Sequence, residues 1–191
     1  MEMEDQLTPE ERSILLKLAR QALESIVCGS PFVLQGLDTL PPHLQAPGAS
    51  FVTLSKHGQL RGCIGSLEPY LPLAEDVCEH TVAAGTQDYR FPPVQPEELR
   101  EIVIEISRLT LPRQIIYDCA EDLLVMIHPG VDGVVICDGL QRATFLPQVW
   151  KKLPDPELFL GNLCHKLGAS PELWRYKKVE VFTYQVEEFQ E

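Results

Sequence analysis

Two dipeptides constrain this chain more than any other feature. His57-Gly58 stands between the β-type run Phe51-Val52-Thr53-Leu54 and the stretch Gln59-Leu60-Arg61-Gly62-Cys63-Ile64-Gly65. Asp138-Gly139 stands between Val134-Val135-Ile136-Cys137 and Ala143-Thr144-Phe145-Leu146. Turn dipeptides between β-rich runs fold the chain back on itself as antiparallel hairpins. The second hairpin is expected to need a loop longer than two residues. Helical patterns fall between the hairpins without the strand–helix–strand rhythm of a doubly wound sheet. The expected fold is therefore α+β, with mainly antiparallel sheets flanked by helices.

The helical segments carry their own start and stop signals. Thr8-Pro9-Glu10-Glu11 pairs a capping threonine with proline at the first helical position and a glutamate that completes a capping box. Ile14, Leu15, Leu18, Ala22 and Ile26 follow at helical spacing, and Gly29 and Pro31 end the pattern. Gly36 to Gly48 reads as a loop. Pro72 to Ala84 reads as a second helix. Asp155-Pro156-Glu157 opens another, which Gly168 closes, and Ser170-Pro171-Glu172 opens a short one. Ile102 to Leu109 is a strand by composition, with Glu105 and Ser107 on one face by alternation, and residues 179–186 read as a final strand. Gln87 to Val94 holds two prolines and is an extended loop.

A chain of 191 residues suits one large domain, or a main domain with a small lobe. The proline-rich stretches near 41–47 and 91–96 are the candidate lobe boundaries. Sixteen basic residues against 28 acidic ones give a net charge of −12. Nucleic-acid affinity comes largely from Lys and Arg on phosphates, so this balance disfavours RNA or DNA binding, and an anionic membrane surface with it. There is no apolar run of membrane-spanning length, and the start Met1-Glu2-Met3-Glu4-Asp5 is acidic where a secretory signal is basic and then apolar. A cytoplasmic location is expected.

The six cysteines, Cys28, Cys63, Cys78, Cys119, Cys137 and Cys164, form no C-x-x-C pair. Structural zinc sites and iron–sulfur clusters announce themselves by such short spacings, and a cytosolic chain of this size needs no disulfides. Six reduced, mostly buried thiols are expected. No P-loop, no G-x-G-x-x-G and no H-E-x-x-H is present, and none of the five histidines pairs with another at helical metal spacing. No cofactor and no metal site is implied.

Arg61-Gly62-Cys63-Ile64-Gly65 is the stretch that carries chemistry. A cysteine beside a cation is a candidate reactive thiol, and positions two apart on a regular strand share a face, which puts Arg61 beside Cys63. The alternative is a small buried side chain at a bulge. Arg61 is either a fork for a carboxylate or phosphate or half of a structural ion pair, with Asp88 as partner. Asp88 and Arg90 share a proline-stiffened loop, where Asp88 is a base or the two brace each other. Glu105 on an apolar strand is either exposed beside Ser107 or turned into a cleft.

Leu60-Arg61-Gly62-Cys63-Ile64-Gly65 resembles the signature of the AMMECR domain family, whose bacterial and archaeal members are called AmmeMemoRadiSam system protein A. Asp88-Tyr89-Arg90-Phe91-Pro92-Pro93 followed by Glu98-Leu99 resembles a second family block, and Ile104 to Leu109 a third. Gly130 to Ile136, Phe145-Leu146-Pro147-Gln148-Val149 and Phe159 to Gly168 resemble the rest, in family order. Leu167 departs from the pattern, standing where a small residue is usual. The resemblance spans nearly the whole chain and implies a single domain over 1–191, built from a larger and a smaller lobe with the signature blocks facing a cleft. It implies association with a Memo-type protein and a radical-SAM protein, but no established reaction.

On that resemblance the candidate catalytic residues are Cys63, Asp88 and Glu105. The candidate binding residues are Arg61, Gly62, Gly65, Arg90, Gln148 and Lys166, the last two from family blocks alone. Two functions follow. One is a catalytic or catalysis-supporting thiol site in a modification pathway, taking a small anionic ligand on its arginines. The other is an accessory subunit that binds a ligand or partner and leaves chemistry to the associated proteins.

Overall fold

The computed structural model describes residues 6–191, so the acidic start at residues 1–5 lies outside the described residues. The chain divides into two compact units. One holds the described residues through Thr110 together with Glu187–Glu191, and the other is Leu111–Val186. Among the described residues no helix is long and apolar enough to cross a membrane.

In the first unit, helix α1 (Pro9–Val27) opens as its sequence requires. The Glu11 amide donates to the Thr8 hydroxyl, and the Glu11 carboxylate accepts the Thr8 amide at 2.8 Å. Gly36 to Gly48 is more ordered than its composition suggests. It contains a 3-10 helix, Leu37–Thr39, a four-residue helix α2 (Pro42–Gln45) and the start of strand β1 (Pro47–Lys56). β1 turns back through His57 and Gly58, both at positive φ, into β2 (Gln59–Gly65). A two-residue strand β3 (Leu71–Pro72) leads into helix α3 (Leu73–Thr86), and β4 (Ile102–Leu109) follows the proline loop.

The sheet order is β2-β1-β4-β9, where β9 (Val186–Gln190) is the last strand and β3 pairs with the start of β1. β1 is the central ribbon, antiparallel to both β2 and β4. Its even positions Val52 and Leu54 are fully buried with Ile104 and Ile106 of β4 and with Leu15, Leu23 and Val77 of the helices. Its odd positions Phe51, Thr53 and Ser55 fall on the opposite face, as strand alternation dictates.

The second unit carries a sheet ordered β5-β8-β6-β7 from β5 (Arg113–Ile115), β6 (Gly133–Asp138), β7 (Gln141–Phe145) and β8 (Glu180–Tyr184). Helices α4 (Ala120–Met126), α5 (Pro156–Lys166) and α6 (Leu173–Tyr176) supply its core with Leu123, Phe159, Leu160, Leu163 and Trp174. Trp150 stacks on Phe159 with ring centroids 3.7 Å apart. α5 is capped by Asp155 and ended by Gly168 at positive φ, as its sequence reads.

The pairings β1–β2, β1–β3, β1–β4, β5–β8, β6–β7 and β6–β8 are all antiparallel, and the α+β class stands. Three further details differ from what the sequence predicts. The β6–β7 hairpin closes with two residues, Gly139 at φ 61° and Leu140, because the left-handed glycine suits the tight turn that joins twisted strands. The final strand is two strands, β8 and β9, separated at Gln185 and belonging to different sheets. The thiols are all free, but only Cys78 and Cys164 are buried. Cys63 and Cys137 are partly buried, and Cys28 and Cys119 are exposed.

Candidate functional site

The site begins with an irregularity in the first hairpin. Lys56 faces Gln59 and Ser55 faces Leu60, but Leu54 faces Gly62, so Arg61 is an extra residue on β2. Such a bulge shifts the register by one, and a shift of one moves every later side chain to the other face. Without it Cys63 would oppose Val52 and point into the core. With it Cys63 opposes Thr53.

Cys63 therefore lies in a row with Thr53 and Glu105, since Thr53 also faces Glu105 across β4. The Thr53 hydroxyl donates to Cys63 Sγ at 3.3 Å. Glu105, partly buried, lies two strand spacings from Cys63, roughly 10 Å.

β2 is an edge of its sheet, so Cys63 turns its amide and carbonyl outward, where an edge strand is open to unwanted pairing. Two side chains from the proline loop close that edge. Asp88 Oδ2 accepts the Cys63 amide at 2.8 Å, and Arg90 Nη2 donates to the Cys63 carbonyl at 3.2 Å. Arg90 also clamps Asp88 through Nε at 2.9 Å and Nη2 at 2.6 Å, and its own amide donates to Asp88 Oδ1. Asp88 is 4% exposed and Arg90 remains open on one side, over the ring of Phe91. The Arg90 guanidinium, with the Cys63 and Arg90 amides, holds the Asp88 carboxyl well below the usual carboxylate range against the opposing effect of burial. Asp88 in turn pushes Arg90 further up. A carboxylate so occupied is a poor proton acceptor near neutral pH, because a general base works best with a pKa near the operating pH.

Arg61 is held separately. Its guanidinium makes a two-point pair with Glu98, at 3.0 and 2.9 Å, and donates to the Pro92 carbonyl at 2.9 Å. Its ion-pair partner is Glu98, not Asp88, because the bulge breaks the alternation that would set Arg61 beside Cys63. Glu98 also takes Lys56 Nζ and the Gln95 amide, and Arg61 is the main cause that draws its carboxyl down to about 2.

The glycines answer to packing. A Cβ on Gly62 would meet the Ala84 carbonyl oxygen of α3 at 2.2 Å, and one on Gly65 would meet the Phe51 ring at 2.4 Å. Gly62 is where β2 and α3 touch backbone to backbone, and Gly65 is roofed by an aromatic ring from the neighbouring strand.

Arg61, Gly62, Cys63, Gly65, Asp88, Arg90 and Glu105 all lie in the first unit, and Gln148 and Lys166 in the second. Gln148 is exposed on a 3-10 helix, Pro147–Lys151. Lys166 donates to the Thr144 carbonyl at 2.9 Å and sits over the Phe145 ring. Among the described residues no three or more His, Cys, Asp or Glu side chains gather as a metal site.

A family model described as AMMECR1 matches residues 16–189. The chain belongs to the AMMECR1 family. A protein of Methanothermobacter thermautotrophicus is 40% identical, covering 97% of this chain and 96% of its own length. A protein of Thermofilum pendens is 38% identical over 97% of this chain and 92% of its own. The crystal structure of uncharacterized protein PH0010 from Pyrococcus horikoshii has the same fold, with a TM-score of 0.74, 34% identity, and coverage of 97% of this chain and 93% of that one. In this AMMECR1 chain, two site residues escaped the sequence reading. Thr53 was hidden by the bulge, since an unbroken hairpin sets it against Gly62. Glu98 was visible in its block, but nothing in the spacing pairs it with Arg61.

Proposed function

We propose that the protein presents Cys63 as the working group of a catalytic or catalysis-supporting site, in a modification pathway with Memo-type and radical-SAM proteins. The observation that carries this reading is the bulge at Arg61. It turns the thiol out of the core and into a row with the Thr53 hydroxyl and Glu105. Around it, Arg61, Asp88, Arg90 and Glu98 are engaged with one another and with the β2 backbone. They form the frame, and Cys63 is the group the frame holds. Glu105 remains as the acid of the row, and the open side of Arg90 as the place for a small anion. Cytoplasmic thiol chemistry agrees with six free cysteines.

A second reading has its own support. Cys63 Sγ meets a hydroxyl rather than a base, and Asp88 is a poor one, which suits an accessory subunit that binds a ligand or partner without chemistry. Native alkylation scored by mass spectrometry separates the two. Cys137 is the internal standard, being also partly buried and with its thiol pushed up by burial. Labelling of Cys63 about tenfold faster than Cys137 supports the working thiol. Equal rates remove it and leave the accessory subunit.

A further inference from the structure

A groove of about 550 Å³ runs along the outer side of α3, against the segment 31–35. It shares no residue with the Cys63 site. Its polar lining is Glu75, Glu79, His80 and Gln87, and no Lys or Arg lines it. His80 Nδ1 is taken by the buried Asp76 carboxylate at 3.2 Å, a third acidic group beside Glu75 and Glu79. The walls are apolar, with Phe32, Val33 and Val82, and Val33 is 66% exposed. Cys78 lies buried at the groove, and its thiol is pushed up to about 12 by burial and by Glu75.

The segment that forms one wall has a second property. From Pro31 to Gln35 exposure alternates residue by residue, as along a strand, yet the segment joins no sheet. Among the described residues, the main-chain amides and carbonyls of Phe32, Val33 and Leu34 pair with no other group of the chain. Unpaired backbone with strand-like alternation is a template for an added strand. A small cation would use the carboxylates and leave this backbone unmatched. An extended polypeptide uses both.

We propose that this groove binds an extended basic segment of a partner protein, which pairs its backbone with Phe32–Leu34 and sets Lys or Arg side chains against Glu75 and Glu79. Apolar residues of the segment, alternating with the basic ones, fall on the opposite face and pack on the exposed Val33. The net charge of −12 steers such a partner toward the protein. This surface is separate from the thiol site, and either can fail without the other.

The probe is the peptide Ac-Val-Lys-Val-Arg-Val-Lys-amide, titrated into the full-length 15N-labelled chain and followed by amide shifts. Saturable shifts confined to residues 32–34 and 75–87 are expected. Glu75→Gln with Glu79→Gln should weaken binding about tenfold, the sum of two charge pairs, one half-buried and one exposed. A fully backbone-N-methylated version of the peptide should bind more weakly, because it has no backbone donor to give to the Phe32–Leu34 carbonyls. Four results overturn the proposal. They are no saturation at about 1 mM peptide, equal binding of the Glu/Asp analogue, shifts centred outside these residues, and spermine binding the groove as tightly as the peptide. The last would make it a small-cation site.

Discussion

At the scale of single residues, the signature is decided by what has room and what has a partner. Gly62 has neither space nor slack, because the obstacle to a Cβ is a helix carbonyl and not the end of a side chain. Gly62→Ala should therefore cost about 1–3 kcal/mol in urea unfolding, the range for overpacking against a rigid neighbour. Gly58→Ala is the contrast. It has open space and only a left-handed φ to tolerate, so its cost should be about 1 kcal/mol. If both variants cost the same, Gly62 is not held by the contact with α3. Asp88→Ala removes the acceptor of the Cys63 amide and of three contacts from Arg90. With Arg90 partly open to water, the loss should be about 1–2 kcal/mol. Its more telling effect is local, since hydrogen exchange at the Cys63 amide should rise well above that of Ile64.

At the scale of elements, the bulge and the proline loop act as one device. The bulge frees Arg61 from the ladder, and the loop returns Glu98 to catch it. The carboxyls of Glu98 and Asp88 are both depressed, so each contributes stability that is present above its unfolded value and is lost as pH falls toward its folded one. For Glu98 that window runs from 4.5 down to about 2. Glu98→Gln should be less stable than the native chain by about 1–2 kcal/mol at pH 7. The gap should narrow through pH 4 and close near pH 2, as read from urea midpoints at each pH. A gap that stays constant on acidification would mean that Glu98 acts by shape and not by charge. Much of this element structure was legible. The Thr8 capping box, the His57-Gly58 turn and the Asp155 cap are local signals, and each forms as its residues dictate. A bulge in this arm was legible from its glycines, but its place and its effect on register were not, because Arg61, the extra residue, has no composition mark of its own. It exists because Gly62 packs on α3 and Asp88 seizes the Cys63 backbone, contacts 22 and 25 residues away in sequence. One displaced register was enough to hide Thr53 and to turn Cys63 around.

At the scale of the whole molecule, the same limit explains the break at Gln185. Residues 179–186 are one β-type run in sequence, and nothing local says that β8 completes one sheet while β9 ends the other. Where the core sits was easier to read, because helical and strand periodicities mark the buried positions directly. In the second unit the centre of that core is Phe159. It is fully buried, stacked on Trp150 and edge-on to Phe145, with ring centroids 5.4 Å apart. Trp150 is in turn tied by its indole N–H to the Asp132 carbonyl at 2.7 Å, so it cannot swing freely into space left by a smaller neighbour. A cavity at 159 should therefore stay open, which places Phe159→Ala in the range of about 3–5 kcal/mol. Phe159→Leu keeps most of the volume and should cost much less, about 1–1.5 kcal/mol. Hydrogen exchange in β6 and β8 should rise sharply in the alanine variant and little in the leucine variant. If the alanine variant instead loses under 2 kcal/mol, on the order of a site that collapses, then Trp150 has moved. A red shift of its fluorescence would report that movement.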